Sequence, residues 1–336
     1  MLEHLGDETI EVANVSTGLL PNAERVLAAL EEGFERYRAL DDGEVADYIP
    51  ALAAASKDLF GASLIGPAGV FVSIGDAQVP FSIQSVSKPF VFALVCDAIG
   101  ERTAADLLGV NATGLPFNSV MAIELNHDRT MNPMVNAGAI ATTSLIPGDT
   151  AAEKFSAILT GLSSFAGRPL AVNDDVYRSE TATNGRNEGI AHLLSSYGRL
   201  GFNPDEATDV YTHQCAIEVT AADLAVMGAT LALGGVNPLT KEQVVSASVA
   251  KRVLAVLCTA GLYEHSGEWL FDIGLPGKSG VSGGIVTITP GKGGLGIYSP
   301  PLDEAGNSVR GQKLARFLSE SLGLNLFAST PLGSVG

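Results

Sequence analysis

The chain has 336 residues, 46% of them apolar, enough to bury one large core. Its 20 Lys and Arg stand against 37 Asp and Glu, and the resulting net charge of −17 repels nucleic acid and anionic membrane. Three cysteines, Cys96, Cys215 and Cys258, lie far apart and match no metal spacing, so they read as buried reduced thiols in a reducing compartment.

The N-terminus, Met1 to Glu8, is acidic and lacks the apolar stretch of a signal peptide. Pro21–Leu40 has a helical period, with Val26, Leu27, Leu30, Phe34 and Tyr37 at three- and four-residue steps. Gly43–Ser56 reads as a short helix interrupted by Pro50. Ala68–Ile74 and Gln78–Gln84 read as strands joined in a hairpin around Gly75-Asp76. Ser85–Ile99 follows as a buried helix ending at Gly100. Residues 101–240 look mainly helical and include the apolar helix Ala221–Leu233, whose longest apolar stretch, Leu224–Leu233, falls short of the ~18–20 residues that a membrane span needs. Val244–Tyr263 gives another helix. Gly283–Thr289 and Gly294–Tyr298 form a strand pair, and Val309–Leu322 a last helix with Leu314, Phe317, Leu318 and Leu322 on one face.

The two groups of strands need each other to close a sheet. This order predicts an α+β fold in one domain, residues 1–336. An antiparallel sheet from about 20–100 and 240–330 is flanked by helices, with an inserted all-helical subdomain at about 101–240.

Phe81-Ser82-Ile83-Gln84-Ser85-Val86-Ser87-Lys88 carries the chemistry. A serine three positions before a lysine puts both on one helical face. A neutral lysine there can take the hydroxyl proton and make the serine a nucleophile, and apolar neighbours favour the neutral amine. The spacing alone is weak, because Ser248 and Lys251 repeat it in what reads as a solvated basic helix. Three further clusters strengthen it. Asn132 to Ile140 sets asparagines in an apolar run, where Asn136 either caps a helix or points its amide at a ligand. Ser179-Glu180 and Arg186-Asn187 form the second. Lys278-Ser279-Gly280, opening a glycine-rich segment before a strand, is the third, and S-x-x-K with a later K-[ST]-G is the pattern of serine acyl enzymes. Gly280 reads as a place where a substrate approaches the backbone. Gly291 to Gly296 fits G-x-G-x-x-G but opens no helix, so it reads as a turn. The five histidines are scattered, and no metal site is expected.

With these clusters in view, the chain resembles the serine-dependent glutaminases, which share the β-lactamase-like fold. The resemblance runs through Tyr48-Ile49-Pro50, Gln84 to Lys88, Asn132 to Ile140, Ser179-Glu180 with Arg186-Asn187, Gly261-Leu262-Tyr263 and Gly274 to Gly284, covering roughly residues 20 to 325. It implies Ser85 as nucleophile, Lys88 as its base and Tyr263 as a further catalytic group. It implies backbone N–H groups of Ser85 and Val281 as oxyanion donors. Tyr48, Gln84, Ser85, Asn136, Glu180, Asn187, Tyr211, Tyr263 and Val281 are implied to bind L-glutamine. It implies a homo-oligomer, tetramer or dimer; the chemistry needs no cofactor, and the charge, cysteines and N-terminus lead us to expect no nucleic-acid or membrane partner and a cytoplasmic location. A β-lactam- or peptide-processing enzyme of the same fold would instead be acylated by penicillin, and a silent binding protein would hold glutamine without turnover. The dense acidic charge also suggests activity in salt.

Overall fold

The computed structural model describes residues 19–129 and 131–329, so the N-terminal octapeptide read for a leader lies outside the described residues. Among the described residues there are seven strands: β1 Gly61–Ile65, β2 Phe71–Gly75, β3 Phe81–Ser82, β4 Glu218–Val219, β5 Gly277–Ser279, β6 Gly284–Thr289 and β7 Gly293–Tyr298. Five form one antiparallel sheet in the order β2-β1-β7-β6-β5, and β3 pairs with β4 apart from it. Of the helices, α1 (Ala23–Tyr37) comes first, and α2 is a single turn at Pro50–Ala53. Next come α3 (Lys88–Ile99), α4 (Glu101–Leu108), α5 (Met121–Glu124), α6 (Asn136–Ser144) and α7 (Ala151–Ala166). They are followed by α8 (Asp174–Thr181), α9 (Gly185–Ser196), α10 (Pro204–Cys215) and α11 (Ala221–Ala232). The last three are α12 (Ala247–Ala260), α13 (Ser266–Asp272) and α14 (Val309–Ser321). None is long and apolar enough to cross a membrane.

Strand β7 shows how the layers assemble. Leu295 and Ile297 join Val26 and Leu30 of α1 and Leu314 and Phe317 of α14 in one core. Gly294 and Gly296 alternate with them and face α11. A Cβ at Gly294 would stand 2.3 Å from the Ala225 carbonyl oxygen, and one at Gly296 2.0 Å from that of Ala221. Gly294 and Gly296 thus serve helix-on-sheet packing, while Gly291 and Gly293, both at positive φ, make the turn that was read there, with β6 and β7 paired from Gly284↔Tyr298 to Thr289↔Gly293. Helix α11 therefore lies on the sheet, although its sequence falls within the stretch 101–240. A second core gathers α3, α6, α7, α9, α10 and α12 around Phe90, Ile140, Phe165 and Leu257.

Several expected elements differ. The hairpin at Gly75-Asp76 does not form. Strand β2 pairs instead with β1, whose five residues are all buried and so show no alternation to reveal them. Of Gln78–Gln84 only Phe81-Ser82 is strand, and it pairs with the distant Glu218-Val219, Phe81 opposite Val219 and Ser82 opposite Glu218. Gly43–Ser56 is mostly irregular, and Pro50 begins its one helical turn rather than interrupting it, since a first-turn proline loses no hydrogen bond. Ser85 lies in a 3-10 turn, Gln84–Ser87, and α3 starts at Lys88. Lys251 is exposed on α12, as its solvated reading requires. Cys96 and Cys215 are buried free thiols, while Cys258 is only half-buried.

Candidate active site

The turn Gln84–Ser87 sits between the edge strand β5 and helix α10. In a 3-10 turn residues three apart eclipse one another, so Ser85 and Lys88 share a side. The Lys88 N–H also donates to the Ser85 carbonyl. Ser85 faces a cleft of about 220 Å3. Tyr48, Gln84, Asn136, Glu180, Asn187, Tyr211 and Val281 line the same cleft, which brings together residues from six separate stretches of chain. Lys88 and Tyr263 do not line it. Both lie behind it and are buried.

Lys88 is 1% exposed. Its Nζ donates to the Met134 carbonyl at 3.2 Å and to Asn136 Oδ1 at 2.8 Å. Burial strips the ammonium of hydration and lowers its pKa from 10.5 to about 7. Asn136 is the first residue of α6, whose N-cap is Val135, so its amide is not a cap. Its Nδ2 instead donates to Asn187 Oδ1 at 3.0 Å. The capping reading of Asn136 is therefore corrected, and its amide lies in the wall of the cleft.

Glu180, near the end of α8, accepts from Gln84 Nε2 at 3.1 Å. Burial raises its pKa from 4.5 to about 7, while the Gln84 hydrogen bond and the charge of Lys88 pull it down. Gln84 has φ +49° and Tyr263 φ +57°, a region that side chains other than glycine rarely adopt. Two of the four such residues among those described are therefore at this site. The strained turn is braced from within. Ser87 Oγ donates to the Gln84 carbonyl at 2.7 Å, Gln214 Nε2 donates to Ser87 Oγ at 2.8 Å, and Thr143 Oγ1 donates to Gln214 Oε1 at 2.9 Å.

The Tyr263 hydroxyl donates to the Ser279 carbonyl at 3.2 Å. Burial pushes its pKa up to about 12. The Lys278 amine lies 4.0 Å from the Tyr263 ring centre, donates to Ser279 O at 2.8 Å, and is held well below the usual lysine range by burial. Gly280 is crowded by the nucleophile's own segment. A Cβ there would lie 3.1 Å from the Ile83 carbonyl oxygen and 3.1 Å from Val86 Cγ2. The expectation of a substrate against Gly280 is corrected accordingly. Its glycine lets β5 close on the turn.

Sequence reasoning missed Phe117, Asn118 and Asn184, and it quoted Arg186 without placing it in the cleft. Phe117 packs on Tyr263 at 4.8 Å, and its carbonyl accepts from the Asn136 N–H at 2.8 Å. Arg186 Nε donates to the Asn118 carbonyl at 3.1 Å. Phe117 and Asn118 sit in an irregular loop with no periodic signal. Asn184 precedes a glycine and reads as a turn. Among the described residues no group of three or more His, Cys, Asp or Glu is arranged to hold a metal ion.

A protein-family model described as Glutaminase matches residues 43–327. The chain belongs to the glutaminase family. It is 58% identical over 317 residues to "Glutaminase 2" of Yersinia pestis, covering 94% of this chain and 93% of that protein. It is 48% identical over 307 residues to a glutaminase of Colwellia psychrerythraea, covering 91% and 99%. Among solved glutaminase structures, the probable glutaminase ybaS superposes with a TM-score of 0.90 at 43% identity, covering 92% of this chain and all of that one. A probable glutaminase from Bacillus subtilis, complexed with 6-diazo-5-oxo-L-norleucine, gives 0.83 at 33% identity, covering 92% and 99%. The fold of this glutaminase is thus the β-lactamase-like one, an antiparallel sheet flanked by helices.

Proposed function

We propose that this glutaminase hydrolyses the side-chain amide of L-glutamine through a Ser85 acyl-enzyme, with Lys88 as general base. One observation carries the reading: a buried amine, with a pKa lowered to about 7, is held by Met134 and Asn136 beneath a serine that faces a cleft.

The donor set suits a free amino acid. Glu180 is the acid lining the cleft, and Gln84 engages one of its oxygens, leaving the other for an α-ammonium. Each carboxamide NH2 has two donors. Asn136 and Asn187 each use one between themselves and Asn184, which leaves one apiece for the α-carboxylate. Tyr48 and Tyr211 supply hydroxyls on the same wall.

In the first step Ser85 Oγ bonds to the side-chain amide carbon as its proton passes to Lys88 Nζ. The negative oxygen meets the Ser85 and Val281 N–H groups. The Ser85 amide precedes the first hydrogen bond of its turn, which runs from Val86 N–H to Ile83 O, and so is not engaged by it. Such donors are worth about 3–4 kcal/mol each. The C–N bond then breaks, and the proton held by Lys88 goes to the leaving nitrogen, giving ammonia and a γ-glutamyl ester. Tyr263, which keeps its own proton below about 12, is a second donor to that nitrogen. Water, deprotonated by the same amine, opens the ester to glutamate and frees Ser85. This sequence calls for no cofactor.

A cytoplasmic enzyme acting as a homo-oligomer, tetramer or dimer, belongs to the same reading. The test is ammonia and glutamate release from glutamine by the purified protein. Ser85→Ala is expected to abolish it, and mass spectrometry of protein treated with 6-diazo-5-oxo-L-norleucine is expected to find the adduct on Ser85. Full turnover by Ser85→Ala, or an adduct elsewhere, refutes the mechanism.

A further inference from the structure

Along the wall of the cleft a single file of polar side chains runs from the buried Lys88 to the backbone of α10. Lys88 Nζ donates to Asn136 Oδ1 at 2.8 Å, and Asn136 Nδ2 donates to Asn187 Oδ1 at 3.0 Å. Asn187 Nδ2 donates to Asn184 Oδ1 at 2.9 Å, and Asn184 Nδ2 donates to Thr212 Oγ1 at 2.6 Å. Thr212 Oγ1 donates to the Thr208 carbonyl at 2.9 Å. Thr212 is wholly buried, lines no part of the cleft, and has no place in the chemistry above.

A carboxamide turned end for end has nearly the same shape, so its neighbours must decide which end is oxygen. Three carboxamides in file share one sense or fail together. The sense here is decided at the far end. A hydroxyl has one proton, and that of Thr212 goes to a carbonyl that can only accept. Its oxygen is therefore left as an acceptor and takes the NH2 end of Asn184. The Asn184 oxygen then meets the Asn187 NH2, the Asn187 oxygen meets the Asn136 NH2, and the Asn136 oxygen faces Lys88.

We propose that Thr212 is a positioning residue that sets the donor–acceptor sense of this relay, so that Asn136 offers Lys88 an oxygen and the amine lone pair stays open to Ser85. The proposal rests on Lys88 acting as base. A neutral amine has two protons and one lone pair. The Met134 carbonyl and Asn136 Oδ1 take the two protons, which leaves the lone pair in the remaining direction. With Asn136 reversed, its NH2 would face Nζ, donate to the lone pair and cap it. The same reversal would remove an acceptor from the ammonium form and favour the neutral one. Loss of the relay thus has two signatures at once: a slower reaction and a base that titrates at lower pH.

The titratable groups facing Lys88 are Glu180 from α8, Cys215 from α10 and Lys278 from β5. Thr212→Val leaves all three in place and keeps the side-chain volume, but removes the hydroxyl. Thr212→Ser keeps the hydroxyl. The experiment measures kcat and kcat/KM for glutamine from pH 5.5 to 9 in the full-length enzyme and both variants, with thermal unfolding recorded alongside. Thr212→Val is expected to lower the plateau kcat about tenfold, part of what general-base catalysis supplies, and to move the acid limb of kcat/KM to lower pH. Thr212→Ser is expected to return both. Should Thr212→Val not fold, Asn184→Ala breaks the relay at its next link and is expected to give the same pair of changes.

A Thr212→Val enzyme with wild-type plateau and acid limb overturns the proposal. So does a lowered plateau with an unmoved limb, the mark of a merely structural loss. Lys88→Met is run beside them. If it is inactive while Thr212→Val behaves as wild type, the relay idea alone fails. If it stays active, the base assignment fails and takes the relay with it.

Discussion

A lysine with 1% of its surface exposed makes the stability of this protein depend on pH. The folded pKa of Lys88 is about 7, against 10.5 for an ordinary lysine. Below pH 7 both folded and unfolded chains carry the proton, and the folded state bears the full cost of a buried cation. Between pH 7 and 10.5 the unfolded chain binds more protons, so stability rises with pH as that cost is relieved. Lys88→Met removes the titration. Its unfolding free energy relative to wild type should therefore be most favourable at pH 7 and decline steadily towards pH 10. The loss of two hydrogen bonds from Nζ shifts the whole curve without changing this slope. Chemical denaturation at pH 7 and pH 10 checks it, and a difference that is flat or grows with pH contradicts the lowered pKa. Glu180 carries the opposite sign: its folded pKa of about 7 lies above 4.5, so the cost of its burial grows as pH rises from 4.5 to 7.

At the scale of elements, the sheet depends on a strand that lets a helix touch its backbone. Gly296 meets the backbone of α11 at 2.0 Å from an added Cβ, and backbone cannot swing aside as a side chain can. Gly296→Ala is expected to destabilise the fold by about 3 kcal/mol, the upper end of overpacking costs. Gly267→Ala on α13, where nothing lies within 4 Å of the added atom, is expected to be neutral or stabilising by a few tenths of a kcal/mol. Equal denaturation midpoints for the two variants would contradict the packing account. Helix α14 was legible from its heptad-like apolar face, and Leu314, Phe317, Leu318 and Leu322 are all buried. Strand β1 was not legible, because Gly-Ala-Ser-Leu-Ile is covered on both faces and carries no period of two. The 3-10 turn at Ser85 was read as the start of a helix. The turn has a positive φ at Gln84 and is braced by Ser87 within it and by Gln214 and Thr143 from elsewhere in the chain, contacts that local spacing does not reveal.

For the molecule as a whole, a charge of −17 means self-repulsion at low salt. At 1 M salt the screening length falls to about 3 Å, and exposed acids no longer feel one another. Lys88 and Glu180 are buried, so salt reaches their interaction weakly. Activity on glutamine is therefore expected to persist in 1 M NaCl while thermal stability rises. An ammonia-release assay with a parallel melting curve decides it. Collapse of turnover in 1 M salt with the fold intact would show that surface charge, not the buried site, controls the reaction.

What the sequence determined by itself was local. Ser85 and Lys88 are three residues apart, and any helical turn brings them to one side. Glu180, Asn187 and the Lys278-Ser279-Gly280 edge were named from short motifs, and the fold class from the order of strands and helices. What the tertiary structure decided was everything that spans long stretches of chain. Lys88 finds its acceptors 46 and 48 residues away, Gln84 reaches Glu180 across 96, and Gln214 braces Ser87 across 127. Phe117 and Asn184 enter the cleft from a loop and a turn. Spacing along a chain is written in the residues themselves. The partner of a buried polar group is chosen only when distant elements pack, because only then is water gone and a hydrogen bond obligatory.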